Sequence, residues 1–353
     1  MAEEAKAALD SVIKKARVHF YKPIQIAEIL FYHRTKKKLE LTDLESYRSV
    51  SKRWRDEVST LLVGRSSTSS AKYQDNIFEP NAMPPQLLAV LGKINTTSKG
   101  GVEAYIYKAL QNKLLSVHRV RDYIEQSTVD TFSIMELVEL FTSSPGLRRS
   151  TDKIYEIAVH ALFSAIVRAL KAEITLSIKN EDKEILTDFE GFIKMVLGID
   201  ARKTQVAMPA ALFRVGVTNA ADRGLDMWAN FGTAIQVKHL TLTPEVTEGI
   251  VEGIEADRIV IVCRDAEKKP IEALLQQLGI IERVQGIITL KDLHDWYTLC
   301  LSKEYRERLA GTLLSDLTRE FDAEFPSSAE IVPFIKERAY TKITLPTGWD
   351  IEE

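Results

Sequence analysis

The chain has 353 residues, of which 45% are hydrophobic and 27% charged, and a net charge of −3; these values are typical of soluble globular proteins, with two domains or one large domain carrying an insertion. No apolar run reaches the ~18 residues that a membrane span needs, and residues 1–15 do not resemble a signal peptide. Two cysteines, Cys263 and Cys300, predict neither a disulfide framework nor a zinc site, so we expect a cytoplasmic protein.

The charges divide the chain into two parts. Residues 1–150 carry 23 Lys and Arg against 17 Asp and Glu, whereas the remainder carries 24 against 33. A basic part followed by an acidic part fits a nucleic-acid recognition region joined to a metal-dependent catalytic region. We therefore predict a mostly helical, basic region over residues 1–147 and a catalytic domain with a helical tail over residues 148–353.

The first region is predicted to be helical from apolar spacing and from its Gly, Ser and Pro breakers. Helices are expected over residues 3–20, 24–32, 42–62, 87–94, 102–126 and 133–141. The third is expected to begin with a capping box of Thr42 and Glu45.

Basic residues cluster around the second and third helices and the hydroxyl-rich loop that follows. A helix, a basic turn and a helix fit a helix-turn-helix unit that reads a major groove, but they fit a solvated bundle face equally well. The loop likewise fits a phosphate-binding segment or a plain linker. The candidate DNA-binding residues are Lys36, Lys37, Lys38, Arg53, Arg55, Arg65 and Lys72.

The second region alternates between helical and strand patterns, which predicts an α/β domain. A helix capped by Ser150 or Thr151 is expected to run to residue 172 and to carry Glu156 near its start. The remaining strands are expected over residues 173–178, 214–217, 258–263 and 286–290. The remaining helices are expected over residues 183–197, 243–254, 267–278, 292–301 and 304–325.

Two apolar, β-branched runs meet at Gly232 and predict a hairpin between residues 225 and 242. With a three-residue loop, 231–233, Asp226 falls opposite Lys238 on the same face of the sheet. A two-residue loop would send these side chains to opposite faces, because a slip of one residue inverts every side chain. We adopt the three-residue loop.

This hairpin brings together groups that suit phosphodiester chemistry. A carboxylate from Asp226, oxygens from Gln236 and Val237, and the ammonium of Lys238 would hold a divalent cation beside a phosphate. The run Gly-Leu-Asp226, nine residues, then Gln236-Val-Lys238 resembles the core of the PD-(D/E)XK nucleases, in the Gln-x-Lys form of Mrr-like endonucleases. The wider run over residues 153–242 resembles HaeII-type restriction endonucleases.

The resemblance implies a restriction-endonuclease-like fold, a mixed central sheet flanked by helices, behind a mostly helical domain. It implies a homodimeric type II enzyme of the bacterial cytoplasm that cuts double-stranded DNA at a short palindrome with Mg²⁺, leaving 5′-phosphate and 3′-hydroxyl ends. A modification-dependent Mrr-like nuclease and a non-cleaving DNA-binding protein with a degenerate site remain alternatives.

The resemblance also implies roles for individual residues. Asp226 would ligate the metal, Val237 would add its main-chain carbonyl, and Gln236 would add its side-chain oxygen or a hydrogen bond to bound water. Lys238 would orient the attacking water or stabilise charge on the phosphate. Glu156 matches the acid that often completes the site, although a solvent-facing acid beside the helix dipole is an equal reading. Asp222 is the reserve acid.

Overall fold

The computed structural model describes residues 1–16, 19–36, 39–64, 66, 78, 83–144, 146–199, 204–215, 225–237, 258–277, 279, 281–325 and 329–350. The chain forms two compact units. The first, here called the helical unit, contains Met1–Ile157 and the segment that begins at Leu317. The second, the sheet unit, contains Ala158–Val215 and the segment that ends at Asp316. The sequence predicted a boundary after residue 147 between a DNA-recognition region and a catalytic domain. This division stays a prediction.

The helical unit is built from helices, all but one of which the apolar spacing predicted. They are α1 Ala2–Lys15, α2 Tyr21–Lys36, α3 Arg48–Val63, α4 Pro85–Thr97, α5 Gly101–Gln126, α6 Ile134–Ser143, the first part of α7 Thr151–Ala169, the last part of α11 Arg306–Glu324, and α12 Ile331–Glu337. The last of these, α12, was not predicted.

The ends of these helices differ from the predicted ones for local reasons. α1 ends at Lys15 rather than at residue 20, because Ala16 is extended. The predicted capping box is wrong. The Thr42 hydroxyl donates to Glu40 (2.7 Å), and Asp43 instead accepts from the Glu45 amide (3.1 Å) to begin a short 3₁₀ turn before α3.

A buried carboxylate, Glu103 of α5, joins three parts of the helical unit. Its side chain is fully buried. It accepts two hydrogen bonds from Arg34 (2.9 and 2.8 Å), one from Asn95 (2.6 Å) and one from Tyr340 (2.8 Å). Because a buried carboxylate is tolerated only when it is paired and hydrogen-bonded, these donors must be ordered together.

A second buried carboxylate, Glu28 of α2, fastens α12 in the same way. It accepts from the Tyr107 hydroxyl (2.6 Å) and from Arg338 (3.2 Å), whose guanidinium also lies 3.5 Å from the centre of the Phe31 ring. Burial raises the pKa of Glu28, and the charge of Arg338 opposes that shift. The segment after residue 330 is therefore part of the helical core.

The sheet unit contains a two-stranded sheet and a mixed five-stranded sheet. The strands are β1 Glu173–Ser177, β2 Gln205–Pro209, β3 Leu212–Arg214, β4 Met227–Ala229, β5 Thr233–Val237, β6 Arg258–Cys263 and β7 Val284–Thr289. β1 pairs with β2, and the larger sheet has the order β3-β4-β5-β6-β7. Its first three strands are antiparallel, and β5, β6 and β7 are parallel. The mixed sheet agrees with the predicted fold class.

Helices cover both faces of this sheet. α9 Lys268–Gln277 buries Ile271 and Leu275 against Ala234, Ile259 and Ile261 on one face. The alternate residues Ile235 and Val260 face a cavity whose other walls are α7 and α10 Leu290–Leu301. The Tyr297 hydroxyl of α10 donates to the Ala158 carbonyl of α7 (2.8 Å). Helix, sheet and helix thus form three layers, as period-two alternation requires.

The segment between β1 and β2 is not part of these three layers. The helix predicted over residues 183–197 is divided into α8 Lys183–Asp188, a turn at Glu190–Phe192 and a π-helical turn at Ile193–Leu197. β2 was not predicted, and the helix predicted over residues 243–254 lies outside the described residues. In the described part of the chain, no helix is both long and apolar enough to span a bilayer.

We expect Arg338→Met to destabilise the helical unit in a pH-dependent way. A carboxyl with a raised folded pKa stabilises the fold fully below its ordinary value of 4.5, and this contribution is lost as pH rises through the folded pKa. Without Arg338 the pKa of Glu28 rises further, so the loss should grow with pH towards roughly 3 to 5 kcal/mol, the cost of breaking a buried pair. Urea unfolding at about pH 5 and about pH 8 measures it.

The control is Glu28→Gln combined with Arg338→Met. A neutral amide needs no cation, so the pH-dependent part of the loss should disappear. Equal losses for Arg338→Met at both pH values would contradict the role given to Glu28.

Candidate active site

The register of the β4–β5 hairpin decides which side chains meet. Met227 pairs with Ile235 and Trp228 with Ala234, so Asp226, directly before β4, falls opposite Gln236. The predicted pairing of Asp226 with Lys238 is wrong by two residues. A shift of two residues preserves the side-chain alternation, so the predicted face for Asp226 and Gln236 is right.

The turn explains the shift. The three-residue loop is 230–232 rather than 231–233, and Gly232 is its last residue, with φ 86°. The Gly232 amide donates to the Ala229 carbonyl (3.0 Å). A type I turn followed by a left-handed residue is the usual three-residue hairpin, and glycine takes that last position without strain. The loop predicted from the sequence, 231–233, had this glycine in its middle position.

Asn230 fixes the same turn to the start of β3. Its side-chain oxygen accepts from the Ala211 amide (2.9 Å), and its side-chain amide donates to the Pro209 carbonyl (3.0 Å). Its main-chain amide donates to the Ala211 carbonyl (3.1 Å). Sequence reasoning missed this residue, although an Asn two residues before a turn Gly is a usable signal.

The Asp226 carboxylate is held by the strand opposite. One oxygen, Oδ2, accepts from the Gln236 side-chain amide (2.6 Å) and from the Val237 main-chain amide (2.8 Å). The Asp226 main-chain carbonyl accepts from the Val215 amide on the other side (2.9 Å). These bonds fix both the backbone and the carboxylate of Asp226, and they bring three of the predicted site residues together.

Gln236 has one oxygen whose hydrogen-bonding capacity is unused. Its side chain is fully buried, and its Oε1 atom accepts no hydrogen bond within the described ranges. A buried acceptor without a donor costs roughly 1 to 3 kcal/mol. A carboxylate and an amide oxygen are ligands that hard divalent cations prefer, so this pair fits one. Among the described side chains, no three of His, Cys, Asp and Glu gather at a metal-binding distance.

Glu156 lies on α7, within the helical unit. Only 3% of its surface is exposed, and its two oxygens accept from the Lys153 ammonium (2.8 and 2.7 Å). The reading of Glu156 as a solvent-facing acid is therefore wrong. Lys153 already supplies the positive charge that a buried carboxylate at this position requires.

The candidate DNA-binding residues differ in their environment. Lys36 is exposed at the end of α2, and the Arg53 side chain is 74% exposed on α3. Arg55 is 2% exposed and donates to Asp56 (2.9 and 2.6 Å) and to Gln25 (3.4 Å). This burial directs the guanidinium of Arg55 into the helical unit, so we remove it from the candidate set. Six further candidates lie outside the described residues. They are the DNA-binding candidates Lys37, Lys38, Arg65 and Lys72, and the active-site candidates Asp222 and Lys238.

Comparison with known proteins gives matches over almost the whole chain. The family model described as HaeII restriction endonuclease matches residues 5–340. The type II restriction enzyme HaeII of Haemophilus aegyptius is 46% identical over 340 residues, which are 96% of this chain and 97% of that protein. The type II restriction enzyme NgoBI of Neisseria gonorrhoeae is 47% identical over 341 residues, with the same shares. No solved structure matches significantly.

Proposed function

This chain belongs to the HaeII restriction endonuclease family, and from that premise we propose that it cuts both strands of DNA at a short palindromic sequence in a Mg²⁺-dependent reaction. The observation that carries the metal-dependent part is the contact between Asp226 and Gln236, in which one buried amide oxygen is left without a donor. The mixed sheet, with Asp226 directly before β4 and Gln236 on β5, is compatible with a PD-(D/E)XK core. The products would be 5′-phosphate and 3′-hydroxyl ends.

Three residues at the hairpin would hold the cation. Asp226 supplies a negative charge whose position is fixed from both neighbouring strands. Gln236 supplies an amide, and rotation of that amide exchanges its donor for its acceptor beside the carboxylate. Val237 would add its main-chain carbonyl. A bound Mg²⁺ would polarise the scissile phosphate and lower the pKa of the attacking water.

The remaining roles fall to two further residues. Lys238 follows the described end of β5 directly, and we assign it to orienting the attacking water or stabilising charge on the phosphate. Glu156 is assigned as the second acid, because Gln236 brings one negative charge fewer than the acid of the family pattern. Its bond to Lys153 would have to open or be shared when it serves the cation.

The DNA would be held by the basic first region. Lys36 and Arg53 are exposed, as phosphate contacts require, and Lys37, Lys38, Arg65 and Lys72 complete the proposed set. A palindromic target has two-fold symmetry, which a homodimer matches most simply.

The central test is Asp226→Asn, which keeps the shape of the side chain and removes its charge. We expect cleavage to fall by at least roughly a hundredfold, because a metal-ligating charge contributes several kcal/mol to the transition state. Binding to the recognition site should persist, since Asp226 is not proposed to contact bases. Single-turnover cleavage measures the first effect and a gel-shift assay the second. Lys238→Ala should likewise lose cleavage and keep binding.

The matched control for that test is Asp265→Asn, which changes an exposed acid two residues after β6. It should cleave like the wild type. Full cleavage by Asp226→Asn would overturn the site assignment.

A second test concerns the charge at Gln236. In Gln236→Glu two carboxylates would lie together, so the ion-free protein should melt at a lower temperature and gain more from added Mg²⁺. Activity should then need less Mg²⁺, whereas Glu156→Ala should need more. A Mg²⁺ titration of melting temperature and of cleavage, with the double variant included, reports whether the two acids share one ion. Purely additive effects would mean that Glu156 does not belong to the metal site.

A third test concerns phosphate contacts. Lys36→Gln and Arg53→Gln should each weaken DNA binding and reduce the slope of log K against log salt by about one unit, since each contact releases about one counterion. Lys303→Gln, an exposed lysine of the sheet unit, is the control and should leave the slope unchanged. If the slopes of all three variants equal that of the wild type, Lys36 and Arg53 are only solvating charges.

A further inference from the structure

Two aromatic side chains of the larger sheet, Phe213 of β3 and Trp228 of β4, are exposed and stacked on each other. They are cross-strand partners, their ring centres lie 4.5 Å apart, and their ring planes differ by 23°. Phe213 is 42% exposed and Trp228 is 44% exposed. Scattered exposed apolar side chains need no explanation, whereas contiguous ones are typical of a binding surface. These two residues are here called the aromatic pair.

The aromatic pair lies on the same face of the sheet as the candidate active site. Side chains alternate along a strand, so Trp228 shares its face with Asp226, two residues earlier. The register agrees, because Trp228 pairs with Ala234, which shares a face of β5 with Gln236. At a rise of ~3.4 Å per residue, Trp228 stands about 7 Å along the strand from Asp226.

The burial of this face differs between its two halves. On β5 and β6, Ala234, Ile259 and Ile261 are buried beneath α9. On β3 and β4 the same face carries the exposed aromatic pair, and Asp226 beside it is half-buried. A substrate that reaches Asp226 across the exposed half of the face must therefore pass over the aromatic pair.

The chemistry of this surface fits a nucleotide. The strands β3 and β4 contain one charged residue, the cation Arg214, so neither strand carries a carboxylate that would repel a phosphate. Asp226, directly before β4, is the group proposed to hold a cation beside a phosphate. A nucleotide joins a phosphate to a flat ring, and aromatic side chains stack on the ring of any base. Stacked flat rings thus favour a base over an aliphatic chain.

The distance along β4 limits which base can reach the aromatic pair. Each nucleotide of a DNA strand advances ~3.4 Å, so about 7 Å corresponds to two nucleotides from the phosphate held at Asp226. A base inside a duplex is covered by its neighbours, so the contacted base must leave the stack. Leaving the stack weakens binding. Contact with an aromatic ring offsets part of that loss, since base–aromatic stacking raises affinity roughly five- to 150-fold.

We propose that the aromatic pair is a stacking platform that receives one unstacked base within about two nucleotides of the scissile phosphate. The proposal rests on the proposed function for the substrate and for the place of the cut. It adds Phe213 and Trp228 as base-binding residues. Part of the sequence preference then comes from how readily that base leaves the stack, because steps that unstack easily bind better.

A binding cycle between protein and DNA variants tests the platform. The probe is a duplex selected by binding from random-sequence DNA without divalent cations, so its choice does not depend on cleavage. Trp228→Leu keeps an apolar side chain and removes the flat ring. It should weaken binding of the intact duplex about tenfold, or ~1.4 kcal/mol, as measured by fluorescence anisotropy.

The second side of the cycle uses copies of this duplex in which each nucleotide in turn carries an abasic sugar. At the contacted nucleotide, Trp228→Leu should no longer weaken binding, because the stacking partner of Trp228 is already absent. At the other nucleotides the loss caused by Trp228→Leu should remain about tenfold.

Two further variants separate stacking from folding. Trp228→Phe keeps a flat ring and should bind almost as the wild type does. Trp296→Leu is the matched control, since it removes an exposed tryptophan from α10 on the other side of the sheet, and it should bind every duplex like the wild type. A loss of the native fold would lower the melting temperature and weaken binding of intact and abasic duplexes alike.

Addition of Mg²⁺ to the intact duplex then gives the position of the cut. The platform is supported if the abasic position that cancels the effect of Trp228→Leu lies within two nucleotides of the cut, and overturned if it lies farther away. Cancellation without any cleavage supports the base contact and counts only against the proposed function.

Other outcomes count against the platform alone. If the wild type cuts DNA and Trp228→Leu binds like the wild type, or weakens binding of every duplex equally, the platform is overturned and the proposed function stands. If Trp228→Leu changes the sedimentation mass without any dependence on the base, the aromatic pair joins two copies of the chain, which also overturns the platform. A wild type that binds no DNA overturns both proposals.

Discussion

The register of the β4–β5 hairpin is the constraint on which the candidate site depends. Asp226 and Gln236 meet only because the strands pair with an odd loop, and a slip of one residue would place them on opposite faces of the sheet. Three features fix that register. They are the left-handed Gly232 that closes the turn, the Asn230 side chain that accepts from the Ala211 amide before β3, and the Val237 amide that donates to the Asp226 carboxylate. Backbone geometry therefore positions the chemistry before any ligand is bound.

Buried carboxylates of the helical unit and the buried amide of Gln236 differ in how their hydrogen-bonding capacity is met. Two of these carboxylates, Glu28 and Glu103, are surrounded by hydroxyl and guanidinium donors from segments distant in sequence. Such networks hold the helices in one relative arrangement, because their donors converge on the same buried carboxylate. In the described part of the sheet unit, the buried oxygen of Gln236 has no donor. An unsatisfied group in an otherwise ordered strand is typical of a site that awaits a ligand.

Much of the fold could be predicted, but the partners of charged residues could not. The strand Arg258–Cys263 was predicted to the residue, because a continuous apolar run bounded by polar residues has one reading in an α/β domain. β2 was missed because Gln205–Pro209 ends in proline and has no apolar alternation. The face shared by Asp226 and Gln236 followed from parity, whereas their register depended on which loop position the glycine takes. The burial of Arg55 and Glu156 could not be predicted from the sequence, since residue type alone assigns both to the surface.

The closure of the helical core by α12 also orders events during synthesis. The sheet unit is encoded between the two parts of the helical unit, so residues 158–316 leave the ribosome before α12 does. Arg338 and Tyr340, which neutralise and bind Glu28 and Glu103, are translated roughly three hundred and two hundred residues after the acids they serve. A nascent chain thus carries the residues proposed for cleavage before the donors to Glu28 and Glu103 have been translated. In a restriction endonuclease, this order of synthesis means that the helical unit is completed after the proposed catalytic residues.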